Sequence, residues 1–252
     1  MNPSIVLCKE SSEVKFVELP RDEVEVVFPA MAKRNLWKSI GDFVAAVLLL
    51  IPSLPLIAMS MMLVRLTSRG PSLYAQKRLG RDGRAFKIYK IRSMIVDSEA
   101  SGPRWSTEGD PRVTPVGRFL RRSHLDELPQ LWNILKGEMS LVGPRPERPE
   151  FVHQLKVALP RYTERLTVKP GVTGLAQVQL PPDTDLSSVR RKLDCDLRYI
   201  EIMNPWLDLR IIACTAFGLL GIPYWISRKI LRVPSLDEAN EAGVQVVRPA
   251  VV

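Results

Sequence analysis

One long apolar segment dominates the hydrophobic pattern of the chain: residues 43–64 contain 22 positions without a charged side chain. This length is enough for a helix that crosses the hydrocarbon core of a bilayer. Pro52 and Pro55 lie in its middle, and each proline removes a backbone donor and disfavours a continuous helix. Each half would then have about ten residues and span roughly 15 Å, half of the hydrocarbon thickness. The pattern is compatible with a helix-break-helix hairpin over residues 33–66 that re-enters the side it came from.

Basic residues stand on both sides of this apolar segment. Lys33, Arg34 and Lys38 precede it, and nine Lys or Arg residues against one Asp follow between residues 65 and 92. The cytoplasmic ends of membrane segments carry such an excess of positive charge. Both ends are therefore expected on the cytoplasmic side. A kinked helix that spans the bilayer, with a small N-terminal segment outside, is the alternative.

The remaining pattern predicts an α+β fold that is mainly helical with short strands. Alternating apolar and basic residues predict two strands over residues 72–94, joined by a turn at residues 80–83. Helical spacing over residues 125–135 predicts an amphipathic helix, with Ser123 and Asp126 as its capping pair. The other predicted elements are a strand over residues 172–180, helices over residues 187–203 and 207–220, and a helix over residues 224–233 that either lies on a membrane or packs on the core.

The charge of the chain limits the kinds of partner it can bind, and its cysteines indicate the compartment. The net charge of +9, from 36 Lys and Arg residues against 27 Asp and Glu residues, favours nucleic acid, an anionic membrane face or phosphorylated substrates. We do not expect nucleic acid, because the basic residues cluster beside the apolar segment. Cys8, Cys195 and Cys214 form no close pair and no cluster at zinc spacing. The small number and wide spacing of the cysteines predict a reducing compartment and no structural metal.

An acidic pair, Asp126-Glu127, is the candidate for chemistry. Alone it is a weak signal, because the tripeptide Leu-Asp-Glu recurs at residues 236–238 and a helix-capping pair is the simpler interpretation. Two basic elements change the picture: Arg121-Arg122 precedes the pair, and the motif Gly-Pro-Arg-Pro follows at residues 143–146. The combination points to phosphate chemistry.

The chemistry of each residue in this combination suits a reaction at phosphate. A carboxylate at a helix N-terminus stays ionised, and phosphate oxygens favour the same place. Ionised Asp126 can attack phosphorus and form an acyl phosphate. Glu127 can hold Mg²⁺, which prefers hard oxygens and often combines few protein ligands with substrate phosphates. Arg145 presents a planar fork to phosphate from a backbone stiffened by two prolines, although a rigid surface turn is the alternative.

Three sequence blocks resemble a known family. KRLGRDGRAFKIYKIRSM, the 38 residues DPRVTPVGRFLRRSHLDELPQLWNILKGEMSLVGPRPE, and VKPGVTGLAQV are similar to the bacterial sugar transferases, the monotopic polyprenyl-phosphate phosphoglycosyl transferases. The resemblance implies a hairpin that re-enters on the cytoplasmic face of the bacterial inner membrane. It also implies a UDP-sugar donor, Mg²⁺ and undecaprenyl phosphate as acceptor. The chain would divide into an N-terminal extension (1–32), the hairpin (33–66), a catalytic domain (67–221) and an amphipathic C-terminal tail (222–252).

The same resemblance assigns roles residue by residue. Asp126 would be the nucleophile of a covalent route that releases UMP, and Glu127 the Mg²⁺ ligand. Lys90, Arg92 and Arg145 would contact the donor phosphates. Membrane lipids are further expected partners, and a homodimer stays open beside a monomer.

Some positions depart from the family pattern or carry no assigned role. Leu54-Pro55 stands where the family usually has Ser-Pro, and residues 179–183 replace a Gly-Arg-Asn-like loop, which leaves the sugar undetermined. Asp196 and Tyr199 match the C-terminal Asp-x-x-Tyr region, to which we assign no role. A membrane-associated scaffold without catalysis is the alternative in another functional class, and UMP release from UDP-sugars would separate the two.

Overall fold

The computed structural model describes residues 36–99 and 109–235 of the chain. Within these ranges the fold is α+β, mainly helical with short strands, as predicted. The helices are α1 (Leu36–Thr67), α2 (Pro115–Arg122), α3 (Gln130–Leu135), α4 (Pro149–Ala158), α5 (Leu186–Ile202), α6 (Pro205–Leu219) and α7 (Tyr224–Leu231). The strands are β1 (Leu73–Leu79), β2 (Ala85–Ile91), β3 (Ser140–Val142) and β4 (Gly171–Thr173), and 3-10 segments occupy Arg81–Gly83, Leu125–Glu127 and Tyr162–Thr167. The N-terminal extension, 1–32, and the end of the C-terminal tail, 236–252, lie outside the described residues.

Helix α1 runs through both of its prolines. The predicted break at Pro52 and Pro55 is therefore wrong at the level of secondary structure. Each proline removes only one backbone donor, whereas ending the helix there would leave several backbone groups without helical partners. Ser53 adds a local bond, because its hydroxyl donates to the Leu49 carbonyl oxygen at 2.7 Å. The chain keeps one apolar helix of 32 residues where the sequence predicts two shorter ones.

One side of α1 packs on the protein and the rest is exposed. Its buried residues are Asp42, Ala46, Ser53, Ser60 and Val64, whose spacing places them along one helix face. In its apolar 18-residue window only 17% of the residues are buried. Within the described ranges, α1 is the one helix with the length and composition to cross a membrane. It therefore presents a large apolar surface.

The predicted strand pair is confirmed as an antiparallel hairpin of β1 and β2. Its turn contains Asp82 and Gly83 at φ values of 57° and 67°, a left-handed conformation that these two residue types tolerate. Ile88 of β2 lies in one hydrophobic cluster with Ala46 of α1 and Leu131 of α3. This cluster holds the hairpin between the apolar helix and the segment that carries the acidic pair.

A second strand pair joins β3 to β4 in parallel. The predicted strand over residues 172–180 is wrong beyond Thr173, where the chain enters a series of turns. Leu175 and Val178 are both buried in one cluster, and a separation of three residues suits a turn better than the alternation of a strand. A Cβ on Gly174 would lie 2.2 Å from a carbonyl oxygen of the loop after β3. Only glycine fits this close approach of the two backbone segments.

The three helices predicted for the C-terminal third are confirmed as α5, α6 and α7. Helix α5 begins with a reciprocal capping box between Asp185 and Ser188, and the Asn204 side chain caps α6. Tyr224 of α7 and Val233 pack into the same hydrophobic cluster as α6. Residues 222–235 thus pack against the body of the protein.

Gly171→Ala tests the close approach of β3 and β4. A Cβ there would lie 2.1 Å from the backbone nitrogen of Gly143, so the strands would have to separate. We expect the free energy of unfolding to fall by about 1–3 kcal/mol, as at other overpacked sites, with a lower thermal midpoint in detergent. Gly41→Ala in α1 is the matched control, because a Cβ there meets nothing within 4 Å. Equal midpoints in the two variants would contradict this packing.

Candidate active site

The acidic pair lies on the 3-10 segment Leu125–Glu127. The predicted helix over residues 125–135 is wrong in its first part, because α3 begins only at Gln130 and Ser123 caps the C-terminus of α2. The left-handed φ of His124, 53°, turns the chain between α2 and the 3-10 segment. The two carboxylates therefore do not lie at the N-terminus of a long helix. Neighbouring side chains, rather than a helix dipole, determine their ionisation.

Two cations from different elements meet the carboxylate of Glu127. Lys90, near the end of β2, donates from Nζ to Oε1 at 2.7 Å. Arg145, in the loop after β3, donates from Nη2 to the same oxygen at 2.6 Å. The structure thus brings together Lys90, Glu127 and Arg145, and Asp126 is adjacent in the chain.

Asn133 of α3 fixes the strand that carries Lys90. Its side-chain oxygen accepts from the Tyr89 backbone nitrogen at 3.2 Å, and its side-chain nitrogen donates to the Lys87 carbonyl oxygen at 2.7 Å. Asn133 is buried, so both bonds form away from water, where they are hard to replace. The sequence analysis missed this residue, although an amide among apolar helix positions is a signal for such a contact.

The two cations set the ionisation of Glu127. Burial alone would raise the pKa of Glu127, but Arg145 and Lys90 outweigh burial and hold that pKa well below its usual range. In turn, burial lowers the pKa of Lys90 while its ion pair with Glu127 opposes the decrease. The Glu127 carboxylate is therefore anionic throughout the physiological range.

Asp126 has the opposite ionisation behaviour. Burial raises the pKa of Asp126 to about 6, the charge of Glu127 adds to the increase, and Lys90, Arg121 and Arg145 oppose it. The carboxyl is thus neutral in mild acid and anionic at neutral pH. An anionic carboxylate that is poorly solvated is suited to act as a nucleophile.

Arg121 belongs to the same cluster, although the sequence analysis did not include it among the site residues. Its Nε donates to the Ser93 hydroxyl at 2.8 Å, and its charge acts on Asp126. Its position five residues before Asp126 is a signal in the sequence. Lys90, Arg121 and Arg145 face two carboxylates, so the cluster keeps a surplus positive charge that attracts anions such as phosphate.

Arg92, predicted to contact phosphate, lies elsewhere. Its guanidinium donates to the Arg69 carbonyl oxygen at 2.7 Å, to the Ser68 carbonyl oxygen at 3.1 Å and to the Ser68 hydroxyl at 2.6 Å. These bonds close the C-terminus of α1. Because β2 ends at Ile91, strand alternation no longer directs Arg92 to the side that Lys90 occupies.

The donor set can be tested against Mg²⁺. Both hydrogen bonds to Glu127 reach Oε1, so Oε2 is the oxygen that could still take a hard cation. Across residues 36–99 and 109–235 no group of three or more His, Cys, Asp or Glu could hold a metal. The Glu127 Oε2 atom would fit a site in which one carboxylate oxygen combines with substrate phosphates and water, which is a common mode for Mg²⁺.

The geometry agrees with a comparison of the sequence with known families. A family model described as "bacterial sugar transferase" matches residues 33–221. The match contains α1, the acidic pair and all three cations. The chain belongs to the bacterial sugar transferase family.

Named relatives of this sugar transferase resemble it over most of its length. It is 39% identical over 214 residues to the UDP-N-acetylgalactosamine-undecaprenyl-phosphate N-acetylgalactosaminephosphotransferase of Aeromonas hydrophila, covering 83% of this chain and 49% of the relative. It is 40% identical to two proteins named UDP-glucose:undecaprenyl-phosphate glucose-1-phosphate transferase. The one from Escherichia coli aligns over 75% of this chain and 41% of the relative, and the one from Caulobacter vibrioides over 74% and 70%. The chain thus spans about half the length of the Aeromonas relative.

The pKa of Asp126 tests these surroundings directly. We expect its carboxyl carbon-13 resonance, identified by its loss in Asp126→Asn, to titrate at about 6. Glu127→Gln should lower this pKa, because it removes a neighbouring negative charge. Since the folded pKa exceeds the usual value of 3.8, this carboxyl should lower the stability of the fold as pH rises from about 4 to about 6. Titration at the usual value in the unmodified protein would contradict the burial of Asp126.

Proposed function

We propose that this sugar transferase moves a sugar 1-phosphate from a UDP-sugar to undecaprenyl phosphate, a polyprenyl phosphate, and releases UMP. The carrying observation is the convergence of Lys90 and Arg145 on Glu127 beside the buried Asp126. The surplus positive charge suits a diphosphate donor, and the buried carboxylate suits attack on phosphorus. Relatives named for a UDP-sugar and undecaprenyl phosphate support this pair of substrates.

In the first half-reaction, an oxygen of ionised Asp126 attacks the phosphorus next to the sugar. A new O–P bond forms while the bond from this phosphorus to the UMP oxygen breaks, and UMP leaves with that electron pair. Lys90 and Arg145 exchange part of their contact with Glu127 for the donor phosphates and neutralise the charge there. Because the ionised carboxylate has no proton to lose, the step needs no general base.

In the second half-reaction, an oxygen of the lipid phosphate attacks the same phosphorus. The bond to Asp126 breaks and the carboxylate is restored, so the product is a polyprenyl diphosphate sugar. This product would begin a membrane-bound pathway to a bacterial glycan such as an exopolysaccharide, O-antigen, capsule or glycoprotein. Relatives named for N-acetylgalactosamine and for glucose make these two sugars the first donors to test.

We propose that α1 is a re-entrant, monotopic segment on the cytoplasmic face of the bacterial inner membrane, in which Pro52 and Pro55 bend the helix without ending it. Near its N-terminus Lys38 donates to Asp208 of α6, and Asp42 accepts from the Ser140 hydroxyl at 2.7 Å. Near its C-terminus Val64 packs in the cluster that contains residues of β2 and α2. A helix that crossed the bilayer would separate its ends by about 30 Å of hydrocarbon. Contacts of both ends with the same body support re-entry.

A second apolar surface supports the same placement. Trp206 of α6 and Trp225 and Ile230 of α7 are exposed, and tryptophan is enriched where lipid meets water. Basic side chains of α7 are suited to anionic headgroups. One face of α7 packs on the protein, and we propose that its exposed face lies on the membrane surface.

Asp126→Asn tests the covalent route. In the unmodified protein, a UDP-sugar without lipid acceptor should release UMP up to about one equivalent of enzyme, because the first half-reaction runs alone. The neutral amide of Asp126→Asn is a very poor nucleophile. The rate of UMP release in this burst should therefore fall by several powers of ten, each worth about 1.4 kcal/mol of barrier. Rapid-quench analysis of UMP measures this.

Asp237→Asn, in the second Leu-Asp-Glu tripeptide, is the matched control for this burst. Asp237 lies outside the described residues, and we expect its replacement to leave the burst unchanged. A normal burst in Asp126→Asn, or its loss in Asp237→Asn, would show that another carboxylate is the nucleophile.

Glu127→Gln tests the proposed metal ligand. In our proposal Glu127 holds Mg²⁺, which would neutralise charge on the donor diphosphate. The variant keeps the side-chain shape but loses the anionic ligand, so half-maximal activity should need at least about tenfold more Mg²⁺, or roughly 1.4 kcal/mol in metal affinity. Titration of UMP release with Mg²⁺ measures the shift, and EDTA should abolish turnover in the unmodified enzyme. Full activity in excess EDTA would remove the metal from the mechanism.

Cysteine labelling tests the re-entrant placement. Cys195 and Cys214 are buried, so new cysteines at exposed sites are needed in a Cys8→Ser background. Trp37→Cys and Thr67→Cys mark the two ends of α1. An impermeant thiol reagent should label neither in intact cells and both in inside-out membrane vesicles. Labelling of Trp37→Cys alone in intact cells would mean that α1 spans the membrane.

A further inference from the structure

The backbone that carries Arg145 is held at three successive carbonyl groups. The carbonyl oxygens of Pro144, Arg145 and Pro146 accept hydrogen bonds at 2.9, 2.9 and 3.0 Å. The first donor is a backbone amide of β4. The other two are guanidinium groups, those of Arg165 and Arg78. The loop after β3 thus has little freedom on either side of the Arg145 side chain.

Arg165 is the donor at the middle of this loop, and it is buried. Its Nη2 donates to the Arg145 carbonyl oxygen at 2.9 Å and lies 2.7 Å from Asp196 Oδ2. Its Nε donates to the same Asp196 oxygen at 3.0 Å, and its Nη1 donates to the Tyr162 hydroxyl at 2.7 Å. The side chains of Arg165 and Asp196 are only 3% and 2% exposed. All three guanidinium nitrogens are therefore engaged in fixed directions.

A buried ion pair of this kind needs a reason other than stability. The cost of removing two charges from water roughly cancels their attraction, and well-packed apolar residues often do as well. What the pair does supply is geometry, because the planar fork of Arg165 fixes three partners at once. Those partners are Asp196 of α5, Tyr162 and the loop that carries Arg145.

We propose that Arg165 and Asp196 are positioning residues, which fix the backbone of Arg145 so that its guanidinium stays directed at Glu127 and at the donor phosphates. Asp196 acts through Arg165, and Arg165 acts through the Arg145 carbonyl group. The assignment gives a role to the aspartate of the Asp-x-x-Tyr region. It rests on the phosphate-binding role of Arg145 in the proposed function.

Binding of UDP to the purified full-length protein, measured by titration calorimetry in detergent, tests this assignment. Arg165→Lys keeps a cation beside Asp196 but loses the fork that reaches the Arg145 carbonyl oxygen. Asp196→Asn removes the charge that orients Arg165. Each should weaken UDP binding about tenfold, and neither should weaken it further in an Arg145→Ala background, because acting through one residue makes the effects non-additive. If Asp196→Asn fails to fold, Tyr162→Phe replaces it, with a smaller loss of affinity expected.

Glu201→Gln is the matched control. Its carboxylate pairs with Arg198 at 3.2 Å, and both residues are on α5. It should keep the UDP affinity of the unmodified protein. Unchanged UDP affinity in Arg165→Lys would overturn the positioning role. An equal loss of UDP affinity in the Arg145 and the Arg145→Ala backgrounds would do the same. Either result would leave the phosphate-binding role of Arg145 intact. Unchanged affinity in Arg145→Ala would overturn the phosphate-binding role of Arg145 and the positioning role with it.

Discussion

The Glu127 carboxylate and its two cations are the contact on which the site depends. The carboxylate is largely removed from water and is stabilised by partners of opposite charge, and the fold brings Lys90 and Arg145 to the same oxygen atom. Lys90 comes from a hairpin held by Asn133, and Arg145 comes from a loop held at three carbonyl groups. The β1–β2 hairpin, the 3-10 segment and the loop after β3 are thereby fixed relative to one another.

The same contact gives two adjacent carboxylates different properties. Glu127 takes both direct ion pairs and stays anionic, whereas burial raises the pKa of Asp126 to about 6. Neighbouring acids whose environments separate their pKa values commonly perform different tasks. In the proposed function, the difference suits Glu127 to holding a cation beside the diphosphate and Asp126 to attacking phosphorus. One arrangement of cations therefore supports both proposed roles.

Several helices and strands could be predicted from the sequence, because short-range periodicity and turn residues determine them. The apolar segment, the β1–β2 hairpin and α5 to α7 follow from periodicity and turn residues. The family motifs assigned Lys90, Glu127 and Arg145 to the site, and the structure adds that they contact one another. The errors arose where distant contacts or single backbone angles decide. The φ of His124 divides the predicted helix, and α1 continues through Pro52 and Pro55. The phosphate contact of Arg92 stays a prediction, and its guanidinium bonds to the residues that follow α1. The pairing of Arg165 with Asp196 joins residues 31 positions apart, which no local pattern reveals.

The central claim is that Asp126 becomes covalently attached to the sugar phosphate. The most direct measurement mixes the protein with a UDP-sugar in the absence of lipid acceptor and then reduces any acyl phosphate with borohydride, which converts the modified aspartate to homoserine. Peptide mass spectrometry locates that residue. The account predicts homoserine at position 126, only after exposure to the donor and lost when lipid phosphate is added before the reductant. Homoserine at another aspartate, or none at all while the complete reaction proceeds, would contradict it.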